Sequence, residues 1–246
     1  MLAVKLISPR LSVNYGVVQM AEPMVRIRGM ERHYVMSSET VRALDGIDLD
    51  IYQGERIILL GPSGSGKTTL LNCISALDSP TAGSYTFEGI PVPRHNSEDM
   101  TTFRRDNIGY VFQFFNLLQD LTVFENILLI QELAGRRDEA RARQLLELVE
   151  LEVEIDRFPA EISGGQQQRV AIARSLAKSP RLLLGDELTG NLDSKTSAMV
   201  MDVLVRACEA EGITCVFVTH DESLMQYATR VVRLDSGQIM SDVPVE

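Results

Sequence analysis

No apolar run in the 246-residue chain approaches the roughly 20 residues that a helix needs to cross a bilayer, so the chain is not expected to span a membrane by itself. Cysteine is scarce. Cys73, Cys208 and Cys215 are odd in number and show no paired metal-ligand spacing, which points to a reduced compartment in which each thiol is a small core residue. Basic residues are also short, 24 against 34 acidic, for a formal charge of -10. That balance argues against a surface that coats nucleic acid, and no nucleic-acid partner is expected. Internal repeats, low-complexity tracts and heptad runs are missing as well.

What is present is a core. With 45% hydrophobic residues, 246 positions can fill one large domain, or one domain carrying a subdomain. The opening MLAVKLISPRLSVNYGVVQ begins apolar, but Ser8, Pro9 and Arg10 break it before a signal-peptide core forms. Residues 1–23 therefore read as an extension outside the fold, with Met20 a second candidate start, and 24–246 as the domain.

From Met24 to about Tyr52, apolar and polar residues alternate on both sides of a loop-like MSSE, the pattern of antiparallel strands. ERIILLG then runs continuously apolar, as a strand buried on both faces does. A helix is expected from Thr68 to Leu77, strands in GSYTFEGIPV and NIGYVFQ, and helix from Val123 to Leu151. Beyond Pro159, helix Gln166–Ala177, strand RLLLGDE, helix Ser194–Glu211, strand ITCVFVTH, helix ESLMQYA and strand RVVRLDSG alternate. That order predicts a mainly parallel sheet with helices on both faces, interrupted by a strand-free helical insertion at 114–162.

GPSGSGKTT, spanning Gly61, Pro62, Ser63, Gly64, Ser65, Gly66, Lys67, Thr68 and Thr69, has the G-x-x-x-x-G-K-T spacing of a phosphate loop. Its backbone amides would surround phosphates, Lys67 would meet the β and γ oxygens, and the Thr68 hydroxyl would hold Mg²⁺. RLLLGDE ends in two acids where parallel sheets place ligands: Asp186 for Mg²⁺, and Glu187 as general base, unless both merely cap the next turn. His220 and Gln113 also end strands, and each either lines the same site or is structural. A second anion-binding turn, ISGGQ, opens a helix at Ile162 to Gln166. A plain Ser163 N-cap would explain the serine but not the two glycines.

Taken together, these motifs resemble the ATP-binding-cassette (ABC) ATPases over nearly the whole chain from Met24 onward. Phosphate loop, Gln113, ISGGQ, Asp186-Glu187, the NLD of Asn191 to Asp193, and His220 follow in the family's order. The resemblance implies a P-loop NTPase (RecA-like) α/β fold with a nucleotide-binding core at 24–113 and 163–246, an antiparallel β subdomain, and a helical subdomain at 114–162. It further implies ATP and Mg²⁺ as cofactors and ATP hydrolysis as the activity. Tyr34 would stack on adenine, Gln113 would sense Mg²⁺ and γ-phosphate, and His220 would hold the γ-phosphate. Ser163, Gly164, Gly165 and Gln166 would complete the site of a second copy, or of a homologous cassette, in a head-to-tail dimer, and Asp193 would be a further nucleotide-binding residue. Departures occur at Ile162, Gly185 and Leu188, where leucine, alanine and proline are usual. Leu188 frees a backbone angle that proline would fix, which puts the turn to Asp193 in question.

FQFFNLLQDLTVFENILL and GDELTGNLDSKT are most similar to the lipoprotein-release and macrolide-export branches (LolD-like and MacB-like). An integral-membrane permease partner and a cytoplasmic place on the inner face of the membrane follow from that similarity. Phe114, Phe115, Leu117, Leu118 and Leu121 line either a groove for the permease's coupling helix or the insertion's own core. The alternatives to a transporter subunit are a signalling cassette that transmits force, or a soluble ABC ATPase acting on ribosomes or DNA.

Overall fold

The computed structural model describes residues 11–14, 17–20, 22–35 and 39–245. Strands β1 (Leu11–Asn14) and β2 (Val17–Met20) pair with each other in a two-stranded sheet of their own. The remainder of the expected extension lies outside the described residues, apart from Glu22 and Pro23, and burial begins at Pro23 and Met24.

β3 (Val25–Val35) and β4 (Thr40–Ile51) form an antiparallel pair, as their alternation predicts; Val25, Ile27 and Met30 face inward while Arg26, Arg28 and Gly29 face out. β5 (Arg56–Leu60) is buried along almost all its length and runs into α1 (Lys67–Ile74). β6 (Ala82–Phe87) and β7 (Ile90–Pro91) complete a four-stranded antiparallel sheet of order β4-β3-β6-β7. After α2 (Ser97–Asn107) and β8 (Ile108–Val111) the chain is free of strands until β9 (Leu182–Asp186). That interval holds α3 (Val123–Leu133), α4 (Glu139–Leu148) and α5 (Gly164–Leu176). α6 (Ser194–Glu211), β10 (Thr214–Val218), β11 (Arg230–Asp235) and β12 (Gln238–Pro244) close the chain.

The principal sheet has the order β12-β11-β5-β10-β9-β8. All its neighbours pair in parallel except the antiparallel edge strand β12. Side chains divide by strand parity: Ile58 and Leu60 join the core beneath α3–α6, whereas Ile57 and Leu59 join the core shared with α1 and the antiparallel sheet. Removing each such leucine or isoleucine from water is worth roughly 1.5–3 kcal/mol, so both faces of β5 fix its position. The strands that lead into the phosphate loop, Gln113, Asp186 and His220 are therefore all members of this one sheet, whereas Tyr34 is on β3 of the antiparallel sheet.

Four local expectations differ from what is found. The helix expected across Val123–Leu151 is two helices, parted at Gly135 (φ 73°) and restarted by Asp138, whose side chain accepts from the Arg141 N–H. ESLMQYA is a 3₁₀ turn, Glu222–Tyr227. β12 was not anticipated, because its QIMSDVP is mostly half-exposed at the sheet edge and has no clean alternation. Nor was α2, which buries no residue completely; its contacts with the core are Met100 and Phe103, the latter edge-on to Tyr85 and Phe87 at 6.4 and 5.4 Å. Its sequence carries end signals in place of an apolar stripe: Asn96 caps the Glu98 and Asp99 N–H groups, and Arg104 and Arg105 sit in the last turn.

Candidate functional site

Gly61–Thr69 bends from β5 into α1 through backbone that glycine alone adopts cheaply. Gly61, Gly64 and Gly66 have φ of 156°, 80° and 101°. Side chains would also collide, since a Cβ at Gly61 would stand 2.1 Å from the Leu234 carbonyl oxygen and one at Gly66 2.4 Å from that of Ala43. Lys67 opens α1, is 7% exposed, and donates to the Gly61 and Pro62 carbonyls at 2.7 and 2.8 Å. Burial holds its pKa below the usual lysine value, against the pull of Glu187 and Asp186. Ser65 Oγ is buried without a hydrogen-bond partner among the described residues.

Register brings the other strand ends to the same place. Val218 of β10 lies opposite both Asp186 of β9 and Leu59 of β5, and Val111 of β8 lies opposite Gly185. Thr68 Oγ1 donates to Asp186 Oδ1 at 3.3 Å, and burial raises the Asp186 pKa against that bond. Glu187 follows at φ 48°, a left-handed conformation that costs a non-glycine residue of order 1–3 kcal/mol and persists where surroundings impose it. Its N–H is held by the Val218 carbonyl at 3.0 Å. His220 Nδ1 lies 3.0 Å from Glu187 Oε1, and that carboxylate raises the histidine pKa through a hydrogen bond and charge. Sequence patterning did not foresee the strained backbone at Glu187.

A cleft of about 800 Å³ opens here, lined by Ser63, Gly64, Gly66, Lys67, Thr68 and Thr69, by Gln113, Glu187 and His220, and by Val41, Arg42 and Ala43 of β4. Asp186 touches it through Thr68. Tyr34 does not line it: the ring is covered by the Arg32 guanidinium at 4.5 Å, and the hydroxyl donates to Asp78 at 2.8 Å. Its strand partner Val41 does reach the cleft. Gln113 is tied to the following acidic loop, its carbonyl accepting from Asn191 Nδ2 at 3.2 Å.

Ser163–Gln166 is missing from the cleft lining. Ser163 caps α5 in a reciprocal pair, with Ser163 Oγ accepting from the Gln166 N–H at 3.3 Å and Gln166 Oε1 accepting from the Ser163 N–H at 2.8 Å. Asp193 caps α6 as an acceptor alone, taking the Lys195 and Thr196 N–H groups at 3.1 Å and the Thr196 hydroxyl at 2.6 Å; these bonds lower its pKa. The departures at 185 and 188 belong together: Leu188 is buried, and a Cβ on Gly185 would meet its side chain at 2.8 Å. A small residue makes room for a large one, so the turn that proline would stiffen is held by packing instead.

A phosphate loop whose lysine lies beside two acids and a histidine, all at one edge of a parallel sheet, defines an α/β phosphate-loop nucleotide hydrolase. The comparisons narrow this. The sequence pattern of the ABC transporter family matches residues 44–190. An uncharacterized ABC transporter ATP-binding protein of Mycobacterium tuberculosis is 46% identical, over 90% of this chain and 91% of its own length. The lipoprotein-releasing system ATP-binding protein LolD 2 of Caulobacter vibrioides is 43% identical over 89% of this chain and 98% of itself. The macrolide export ATP-binding/permease protein MacB of Agrobacterium fabrum is 41% identical over 91% of this chain but 35% of its own length. A cassette of Methanocaldococcus jannaschii, solved as a dimer in a post-hydrolysis state bound to ADP and Pi, superposes with a TM-score of 0.82 at 39% identity, covering 91% of this chain and 99% of that one. The chain belongs to the ABC transporter family and is one of its ATPase cassettes, similar to the LolD and MacB ATP-binding proteins.

Proposed function

We propose that this cassette drives an integral-membrane permease by closing on ATP as a head-to-tail dimer and reopening after hydrolysis. One observation carries the reading: Ser163–Gln166 opens helix α5 yet lines no part of the chain's own cleft, so the anion that this helix N-terminus suits must come from another chain. That the similar M. jannaschii cassette was solved as a dimer supports pairing of two cassettes.

Within one cleft, Lys67 exchanges two carbonyl acceptors for phosphate oxygens; a buried ammonium that meets only neutral oxygens gains most from an anion. Thr68 Oγ1 and Asp186 Oδ1 are adjacent hard oxygens of the kind Mg²⁺ takes, with Gln113 on the same cleft. No cluster of three or more His, Cys, Asp or Glu is found among the described residues, so such an ion would complete its shell from phosphate and water. When bound it would neutralise charge building on the phosphate. Glu187 accepts a proton from the attacking water, and His220, bonded to its Oε1, orients that carboxylate and reaches the γ-phosphate. Tyr34 reaches adenine only if Asp78 releases its hydroxyl.

The segment after Gln113 divides its roles. Leu117 is buried and Phe115 packs on the core, whereas Phe114 is 67% exposed and Leu118 47%. Asn126 pins this loop, accepting from Leu118 N–H and donating to the Leu118, Leu121 and Thr122 carbonyls. The exposed members, together with the neighbouring 440 Å³ hollow that contains Phe112, form the permease docking face. The cassette thus sits on the inner face of the membrane, and no helix among the described residues is long and apolar enough to cross it.

Glu187→Gln tests the assignment. It should keep ATP binding, lower turnover by about 10²–10⁴ and accumulate an ATP-dependent dimer in gel filtration. ATPase near the parent's rate would refute the role of Glu187, and a monomer in saturating ATP would refute the closed dimer.

A further inference from the structure

The two glycines of ISGGQ are not alike. A Cβ on Gly164 would rest 3.6 Å from Leu192 and 3.7 Å from Phe115, ordinary contact distances. A Cβ on Gly165 would stand 2.5 Å from Thr196 Cγ2, far inside carbon–carbon contact. Gly165 is buried in the first turn of α5 and has none of the positive φ values found in the phosphate loop. Nothing in its own backbone asks for glycine, and helix propensity favours alanine there.

Thr196 cannot simply turn its methyl away. Its Oγ1 donates to Asp193 Oδ2 at 2.6 Å, and its N–H is held by the same carboxylate, so rotating χ1 breaks the hydroxyl bond that closes the α6 cap. The methyl is thereby locked against Gly165. Three residues before Asp193, the same loop packs on the catalytic residues: a Cβ on Gly190 would lie 3.8 Å from Gln113 Nε2 and 3.9 Å from Glu187 Cβ. Asn191 Nδ2 donates to the Gln113 carbonyl. The start of α5, the Thr196 methyl, the Asp193 cap and the loop beside Glu187 are one contiguous set of contacts.

We propose that Thr196 is a positioning residue: its methyl, held by Asp193, seats the Gly165 turn against the loop that carries Asn191 to Asp193. The chain thereby sets the surface it offers to a partner's nucleotide by reference to its own catalytic loop. Gly165 is then required by a contact inside the chain, whatever else touches it. The proposal extends the head-to-tail reading above, but the contact itself does not depend on that reading.

The test is a rescue. In the Glu187→Gln chain, Gly165→Ala should lower the melting temperature without nucleotide and weaken the ATP-dependent dimer by about tenfold or more, although alanine is the better helix former. Adding Thr196→Ser, which deletes Cγ2 and keeps the oxygen on Asp193, should return both readings to those of Thr196→Ser alone. Monomer affinity for a fluorescent ATP analogue should be the parent's throughout, because the phosphate loop is untouched. If the double variant binds the analogue normally yet stays as unstable and as weakly dimeric as Gly165→Ala, the Thr196 contact is not what demands glycine and the proposal fails. It fails equally if Gly165→Ala alone is as stable and as dimeric as the parent. Should the Glu187→Gln parent itself not dimerise, the head-to-tail reading falls, and the melting temperatures alone then decide for or against Thr196.

Discussion

The phosphate loop and the ISGGQ turn look alike as strings: serine and glycines leading into a helix. Their structures differ in kind. Gly61, Gly64 and Gly66 occupy positive-φ backbone, carbonyls of other strands crowd in at Gly61 and Gly66, and Lys67 donates to the Gly61 and Pro62 carbonyls. Gly164 and Gly165 are ordinary helical residues, and Ser163 and Gln166 cap each other while Gln166 Nε2 donates to Glu154. The first turn gathers its lysine and acids within one chain. The second lies outside that chain's own cleft, caps itself, and has at 165 a glycine that answers to a neighbouring methyl.

Alanine at matching positions is the strongest way to break this contrast. Gly66→Ala puts a Cβ into the Ala43 carbonyl at φ 101°, and should weaken ATP binding by about a hundredfold in calorimetry, whereas Gly164→Ala should leave that affinity unchanged. Equal losses at the two would erase the distinction drawn here.

The Glu187–His220 pair gives a smaller, pH-dependent effect. Because the carboxylate raises the His220 pKa above 6.5, the pair's contribution is full below the unfolded value and is lost as pH rises through the folded one. The His220 imidazole resonance should titrate above 6.5 in the parent and move back toward it in Glu187→Gln; an identical midpoint in both would mean the 3.0 Å contact is not formed in solution.

Loss of the α5 cap is smaller still. Ser163→Ala should cost about 1 kcal/mol, or roughly 2–4 °C in melting temperature, with nucleotide affinity of the monomer intact. The least effect is expected from removing residues 1–19: β1 is paired with β2 alone, so ATPase and melting temperature should hold within about a degree. A fall of several degrees would show that this hairpin belongs to the domain.

Much of this was readable because local chemistry is written in short spacings. The strand β5, its Gly-rich turn and α1 are contiguous, so the spacing of Gly61, Gly66, Lys67 and Thr68 specifies a phosphate site before any folding is considered. The strands ending at Asp186 and Val218 declare themselves by unbroken apolar runs, which only a sheet covered on both faces accommodates. Helix α2 escaped because it lies on the surface and offers no apolar period, and β12 because edge pairing needs a neighbour more than a pattern.

What the amino-acid order determined, then, is the inventory: which turn binds phosphate, which acids and which histidine end their strands, and which helix begins with ISGGQ. Tertiary structure alone decided their relations. The left-handed backbone at Glu187 arises where the turn after β9 is held to the end of β10. The diversion of Tyr34 to Asp78 and the lock of Thr196 on Gly165 each join residues that packing brings together and that no helical or strand period links. Periodicity reports which face of an element is buried; it does not report which side chain of another element fills the space opposite, and at 2.5 Å that neighbour decides what a glycine is for.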